Sequence, residues 1–394
     1  MLNITDKQVE EALPPILRLG FRPFFLLGSV YAVLALALWL WMFQKGPLPY
    51  LQVSPLWWHA HEMLFGFAMA IVIGFVLTAV QNWTGVPGTK GKRLGAIVAL
   101  WLIARVTFWL PMSPWVSFGL ETLLLIMVGV ETGSRVIASK GWRNAFFVPL
   151  FALAIVANGA AYWALLEQTY FSSSQVWQSM LWWFTLLLSV MGGRVIPFFT
   201  ALRCKFDKPA PIKALELLAN LPLLMLFLCS FIEDVSALLT ASLMFVSGIA
   251  QLIRMWRWKP MKALKEPLLW SLHLTYLFIP LGLILRSVIQ DPFISHNLLH
   301  LFVVGGIGGV ILAMITRVTM GHTGRAIYEG PNMSIAFALL ISSALVRGLG
   351  VGLFPAHMMD MITLSGALWM FAFALYIVKF SFMLLTKRAD GHPG

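Results

Sequence analysis

Trp57-Trp58-His59-Ala60-His61-Glu62-Met63-Leu64-Phe65-Gly66-Phe67-Ala68-Met69-Ala70-Ile71-Val72-Ile73-Gly74-Phe75-Val76-Leu77-Thr78-Ala79-Val80 is a run over residues 57–80 whose one formal charge is Glu62. A helix crosses a bilayer core in about 20 residues, so this stretch is long enough to span and too apolar for a surface helix. The chain around it has the same character. Of its 394 residues, 59% are hydrophobic and 11% charged, and the mean hydropathy is +0.83; soluble domains are about a quarter charged. A soluble globular protein is excluded. Further apolar runs fall at 24–44, 94–110, 114–134, 145–166, 175–200, 212–232, 235–254, 268–289, 296–320, 332–352 and 356–386. Twelve spans use roughly 240 residues and leave only short loops, which predicts one transmembrane domain over residues 1–394, an all-α polytopic helix bundle.

The formal charge of +12 and pI near 9.9 would suit a nucleic-acid partner, but the basic residues alternate with the spans. They occupy the first tail (Lys7, Arg18, Arg22) and every second loop: Lys90, Lys92 and Arg93; Arg135, Lys140 and Arg143; Arg203, Lys205, Lys208 and Lys213; Arg254, Arg257, Lys259, Lys262 and Lys265; Arg317 and Arg325. The other loops carry only Lys45. Positive charge stays on the cytoplasmic side of a membrane, so both termini are expected in the cytoplasm, with lipid rather than nucleic acid as the surrounding partner. Cys204 and Cys229 fall near opposite ends of a span and are expected not to pair. No sequence repeat is strong enough to claim inverted halves.

On this topology His59 and His61 open the second span, His296 and His300 the tenth and His357 the twelfth, all at the outer end; His273 and His322 lie at the cytoplasmic end, and His392 in the tail. Imidazole at membrane depth needs a partner, which makes these histidines candidate metal ligands. At 100° per residue His59 and His61 point about 200° apart and serve two sites better than one. His296 and His300, four apart, share a face and can grip one metal. Met63 follows His59 by four and offers a thioether suited to copper, or plain packing. Glu62 is a candidate proton donor, or a second-shell hydrogen-bond partner of a ligating histidine.

Buried cations form a second set. By 1.5 Å per residue, Arg105 lies about 16 Å up the third span and Glu121 about 10 Å down the fourth, so a hairpin brings them together as an ion pair. Arg286 and Arg347 near the outer ends either snorkel or anchor an anionic group such as a propionate. Arg194 follows Gly192-Gly193, a pair that admits a neighbouring helix or a planar ligand. The tenth span holds Gly305-Gly306-Ile307-Gly308-Gly309, a face for close helix packing or for a macrocycle. His300 and His322 are about 33 Å apart along that helix and cannot share a site.

Leu19-Gly20-Phe21-Arg22-Pro23-Phe24-Phe25, Trp58 to Phe67, Asn82-Trp83-Thr84-Gly85, Gly192 to Thr200, Leu272-His273-Leu274 and His300 to Arg325 together resemble the NnrS family of bacterial inner-membrane proteins, over nearly the whole chain. The resemblance implies a multi-pass haem- and copper-containing protein of nitric oxide metabolism and nitrosative-stress resistance, often found beside denitrification functions. The haem is expected to be of b type. Its motif histidines correspond to His59, His61, His273, His300 and His322; His296 and His357 lie outside that pattern. The expected haem site uses His59 or His61 with His300, with Arg194 and Arg286 as further cofactor contacts. Copper is expected at the remaining outer histidine with His296 or Met63, and His273 with His322 is the rival location. Nitric oxide is then the ligand, reduction of it as by a nitric oxide reductase the candidate chemistry, Glu62 the candidate catalytic acid, and a quinol one electron donor left open. Two other classes fit the same residues: a secondary transporter whose path is lined by Arg105, Glu121, Arg286 and Arg347, and a nitric oxide or haem sensor without turnover.

Overall fold

The structure, a computed structural model, describes residues 7–166 and 172–393. Each expected apolar run is a helix: α1 Phe21–Lys45, α2 Pro55–Thr84, α3 Gly91–Thr107, α4 Pro114–Ala138, α5 Phe147–Trp163, α6 Ser173–Cys204, α7 Lys213–Cys229, α8 Ala237–Arg257, α9 Pro267–Val288, α10 Pro292–His322, α11 Ser334–Leu353 and α12 Pro355–Leu385. Ten of these regions are long and apolar enough to cross a membrane by length and composition. In this count α5 is taken with the turn of helix before it, Trp142–Trp163, 22 residues; the other two, α3 and α7, are 17 residues each, just short of the usual spanning length. No strand occurs among the described residues.

Local chemistry sets the helix ends. Proline opens α2, α4, α9 and α10, where its missing N–H costs nothing and its fixed φ already suits a helix. Ser54 Oγ accepts from Trp57 N at 3.3 Å and Asp291 Oδ1 from Ile294 N at 2.9 Å, satisfying orphan donors at the starts of α2 and α10. Gly85 at φ 70° ends α2, and Gly324 at φ 72° follows α10, left-handed positions that only glycine takes without strain. Within three helices the backbone widens to the rare π form: Glu62–Ala68 in α2, Leu301–Gly308 in α10 and Val346–Gly350 in α11. Such segments concentrate at functional sites.

The chain forms two compact units. One gathers the residues up to Ser173 with Arg317–Gly330 and those from Tyr376 on; the other comprises Ser174–Thr316 and Pro331–Leu375. In the first unit, fully buried Arg22 donates Nη1 to the carbonyls of Met383, Leu384 and Thr386 at 3.3, 3.0 and 2.7 Å, so the start of α1 caps the end of α12. These carbonyls have no partner inside their helix, and the guanidinium supplies one. The tail beyond is also held, by Ala389 N on Thr323 O at 3.0 Å and Arg388 Nη1 on His322 O at 3.3 Å.

In the second unit the glycine face of α10 is filled by side chains. A Cβ on Gly305 would lie 2.7 Å from the Phe278 ring and one on Gly306 2.8 Å from Ile279 Cγ1. Gly192 faces Tyr276 at 2.8 Å in the same sense, and Gly193 makes room for the Arg254 guanidinium. Both glycine groups therefore serve helix and side-chain packing, the first of the two uses considered for each, and offer no bare wall to a macrocycle along these faces.

Candidate functional site

Two histidine-bearing clusters, one in each unit, stand out. The first surrounds the start of the π segment of α2. His61 and Glu62 are both fully buried, and His61 Nδ1 lies 2.8 Å from Glu62 Oε1. Its Nε2 faces Asn158 Oδ1 and Glu121 Oε2, each at 3.2 Å. Arg105 bridges the two carboxylates, with Nη1 on Glu62 and Nη2 on Glu121. Tyr31 donates its hydroxyl to Glu62, and Tyr162 donates to Glu121 at 3.0 Å. Asn158 Nδ2 donates to the same Glu121 oxygen at 3.2 Å. The network thus ties together α1 to α5.

The expected Arg105–Glu121 pair is present, and it belongs to something larger. With oxygen acceptors at both ring nitrogens, His61 donates from both, so two cationic groups face two carboxylates and the cluster closes on itself. Closure matters because an unpaired charge in an apolar interior costs several kcal/mol. His61, Glu62 and Glu121 form the one group of three or more such ligand residues found among the described residues. Its chemistry nevertheless opposes a metal: the cavity between the ligand atoms already holds a guanidinium, and His61 has no lone pair left to give. His59 points elsewhere, stacking on Trp39 with ring centroids 4.4 Å apart, whereas His61 stacks on Trp57 at 4.7 Å. The two do serve opposite sides of one helix. Tyr31, Asn158 and Tyr162 carried no sequence signal beyond being polar residues inside apolar runs.

The second cluster lies at the start of the π segment of α10. The rings of His296 and His300 are 5.6 Å apart, on a common face as their spacing predicts. His300 Nδ1 donates to the His296 carbonyl at 3.4 Å, and its Nε2 accepts from Arg347 Nη2 at 3.3 Å. Arginine can only donate, so this hydrogen-bond pattern makes His300 a neutral imidazole with its acceptor nitrogen turned toward Arg347. The other Arg347 nitrogen, Nη1, donates to Asn297 Oδ1 at 2.6 Å. Arg286, from α9, lies over the Trp182 ring at 5.7 Å, with Nε and Nη1 buried and making no hydrogen bond. The charges of Arg347 and Arg286 both act on His296.

The remaining candidates separate from these clusters. His273 is buried near the opposite end of α9 from Arg286; its Nε2 shares a 2.9 Å hydrogen bond with Thr200 Oγ1, and its Nδ1 is buried without a partner. His322 packs on Phe21 at 5.5 Å, with the charges of Arg388 and Arg22 acting on it, a setting adverse to a bound cation. His273 and His322 fall in different units. Arg194 lies about 18 Å along α6 from Trp182, hence at another level from Arg286. His357 is exposed and pairs with Asp360 at 3.6 Å.

Over residues 15–388 the chain matches the model of the NnrS protein family, nearly its whole length. No curated protein matches it.

Proposed function

The chain belongs to the NnrS family, membrane proteins linked to the nitric oxide response, and from that premise we propose that it binds nitric oxide at a haem held by the second unit. The observation that carries this reading is the state of His300. A ligating histidine donates one ring N–H to a fixed acceptor and keeps the other nitrogen as a lone pair. His300 Nδ1 does so toward the His296 carbonyl, and its Nε2, which here accepts from Arg347, is the lone pair that iron would take in place of that hydrogen bond. His61 has acceptors at both nitrogens and does not fit an axial role. His273 follows the His300 pattern through Thr200 and belongs to no group of three or more His, Cys, Asp or Glu among the described residues, whereas His300 has the imidazole of His296 beside it.

Haem iron would supply a strong binding site for nitric oxide and the means to pass it an electron. The chain's own residues do the rest. His300 would offer Nε2 in exchange for its hydrogen bond from Arg347, the adjoining His296 offers a second imidazole on the same face, and the His296 carbonyl holds His300 in its Nδ1–H tautomer. Glu62 and Arg105 act as positioning residues in the first unit, where they fix the π segment that follows His61. Nitric oxide is small, neutral and lipid-soluble and reaches a site among apolar helices without a polar channel. Both termini lie in the cytoplasm in this proposal, by the alternation of basic loops, and the membrane is the bacterial inner membrane.

Absorption spectroscopy of the purified protein tests it. A haem band should appear, shift on anaerobic addition of nitric oxide to the reduced protein, and be depleted in His300→Ala but retained in His357→Ala. A band that survives His300→Ala and is lost in His273→Ala would move the site. No response to nitric oxide together with saturable solute uptake into proteoliposomes would instead support a transporter.

A further inference from the structure

Buried arginines elsewhere in the protein are met by acceptors. Arg105 reaches two carboxylates, Arg22 three carbonyls, and Arg254 meets Glu216 through Nε at 3.1 Å and Nη2 at 3.0 Å. In the α9–α11 site Arg286 has no such acceptor among the described residues, whereas Arg22 and Arg105 leave only Nε unbonded. The contacts of Arg347 are the neutral Asn297 and His300, and Arg286 rests on the Trp182 face with two nitrogens buried and unbonded. Exposed His296 stands within reach of both charges. The two guanidiniums, each half-buried, flank His296, and neither makes a salt bridge among the described residues.

A guanidinium in an apolar setting is stabilised when a planar anion takes its N–H groups, and arginine matches two-oxygen anions best. We propose that Arg286 and Arg347, with His296 at the rim, form a binding site for an anion presenting delocalised oxygens, a carboxylate or an oxyanion. Trp182 supports the Arg286 plane from below and leaves its edge for the ligand. Asn297 and His300 hold Arg347 against rotation. Three sources carry this chemistry: the carboxylate of a bound cofactor, a phospholipid headgroup at this end of the bundle, or a free oxyanion. The first source rests on the haem reading above; the other two stand without it.

The test compares wild-type protein with Arg286→Gln and Arg347→Gln. Thermal unfolding is followed in sodium nitrite, formate and phosphate against chloride at equal ionic strength. Lipid retention is read by native mass spectrometry after reconstitution in phosphatidylglycerol or phosphatidylcholine nanodiscs, and haem content by absorbance. A free oxyanion at 100 times its Kd should raise the apparent folding constant about 100-fold, and each variant should lose that gain. Retention of anionic lipid by the wild type and its loss from both variants would assign a headgroup. Haem loss from Arg286→Gln, which leaves the Arg347–His300 contact in place, would assign a cofactor carboxylate. Wild type and both variants behaving alike in all three arms would overturn the proposal. So would a higher unfolding midpoint for both variants in every salt, the result expected if they merely relieve an uncompensated cation. Should either variant fail to fold, Arg286→Lys, which keeps the charge and loses the planar donors, should bind anion more weakly than wild type; equal binding overturns the proposal too.

Discussion

Helices α2 and α10 are built to one plan and filled with opposite chemistry. Each opens on a side-chain cap followed by proline, runs as α-helix to a histidine (His61 or His300), widens to a π segment, resumes as α-helix and ends near a Thr-Gly whose glycine is left-handed. His61 and His300, Gly66 and Gly305, and Thr84-Gly85 and Thr323-Gly324 are related by one constant offset in residue number. Beside His61 an arginine meets two carboxylates through both Nη groups, its Nε alone left unbonded. Beside His300 the arginines meet neutral groups. The backbone plan therefore positions a histidine at the mouth of a π segment, and the neighbouring helices decide whether that histidine becomes structure or is left able to bind. The first cluster is a closed charge network and the second an open one.

The largest expected effect comes from opening the closed network. Arg105→Met strands Glu62 and Glu121 in an apolar interior and should destabilise the first unit by about 3–5 kcal/mol, seen as loss of folded protein in detergent; Arg105→Lys, which keeps the charge but not the two-armed geometry, should recover part of it. Folded, thermally unaltered Arg105→Met would show that the network is not closed as described. Next is a crossed comparison of the two histidines. His61→Gln should lower stability by about 1–3 kcal/mol through unanswered hydrogen bonds while keeping haem. His300→Ala should do the reverse, with haem lost and a stability change under about 1 kcal/mol. Equal haem loss in both would erase the distinction.

Smaller effects probe the shared backbone plan. Gly66→Ala brings a methyl to 2.7 Å from the Tyr31 ring, and Gly305→Ala to 2.7 Å from Phe278, overlaps that cost about 1–3 kcal/mol. Both should lower the unfolding midpoint alike, and Gly66→Ala should also shift the Tyr31 environment in ultraviolet resonance Raman spectra. The smallest effect concerns the exits. Gly85 has open space around it, whereas Gly324 abuts Asp390, whose carboxyl is held down to about 2 by hydrogen bonds from Arg388 at 2.9 and 2.5 Å. A depressed carboxyl contributes stability above its ordinary value near 3.8 and loses it as pH falls toward 2. Protease access to the tail should rise over that window in wild type and be pH-independent there in Asp390→Asn.

Much of this was legible in the residues. Twelve apolar runs became helices, because hydropathy alone reports length and burial in lipid. The Arg105–Glu121 pair followed from rise per residue, and the common face of His296 and His300 from spacing by four. What stayed hidden has a physical cause in each case. A π segment changes the residues per turn without changing composition, so nothing in Glu62–Ala68 or Leu301–Gly308 announces it. Asn158 and Tyr31 are single polar residues whose partners lie on other helices. The plan shared by α2 and α10 rests on one histidine, one glycine and a Thr-Gly, too few matches to count as a repeat until backbone form is added. The sequence reading left Glu62 between proton donor and hydrogen-bond partner of a ligating histidine; in the structure its contacts are with Arg105, His61 and Tyr31.

The clasp between Arg22 and the last turn of α12 has a consequence in time. A ribosome makes Arg22 and Thr386 roughly half a minute apart at about 10 residues per second. Throughout that interval the first helix, if already inserted, carries a cation whose acceptors do not yet exist. Arg22 opens α1, and at a helix end water and headgroups answer its charge until the clasp forms. A ribosome stalled before residue 383 would leave Arg22 without any of its three carbonyl acceptors, so this clasp closes only after α12 has been made.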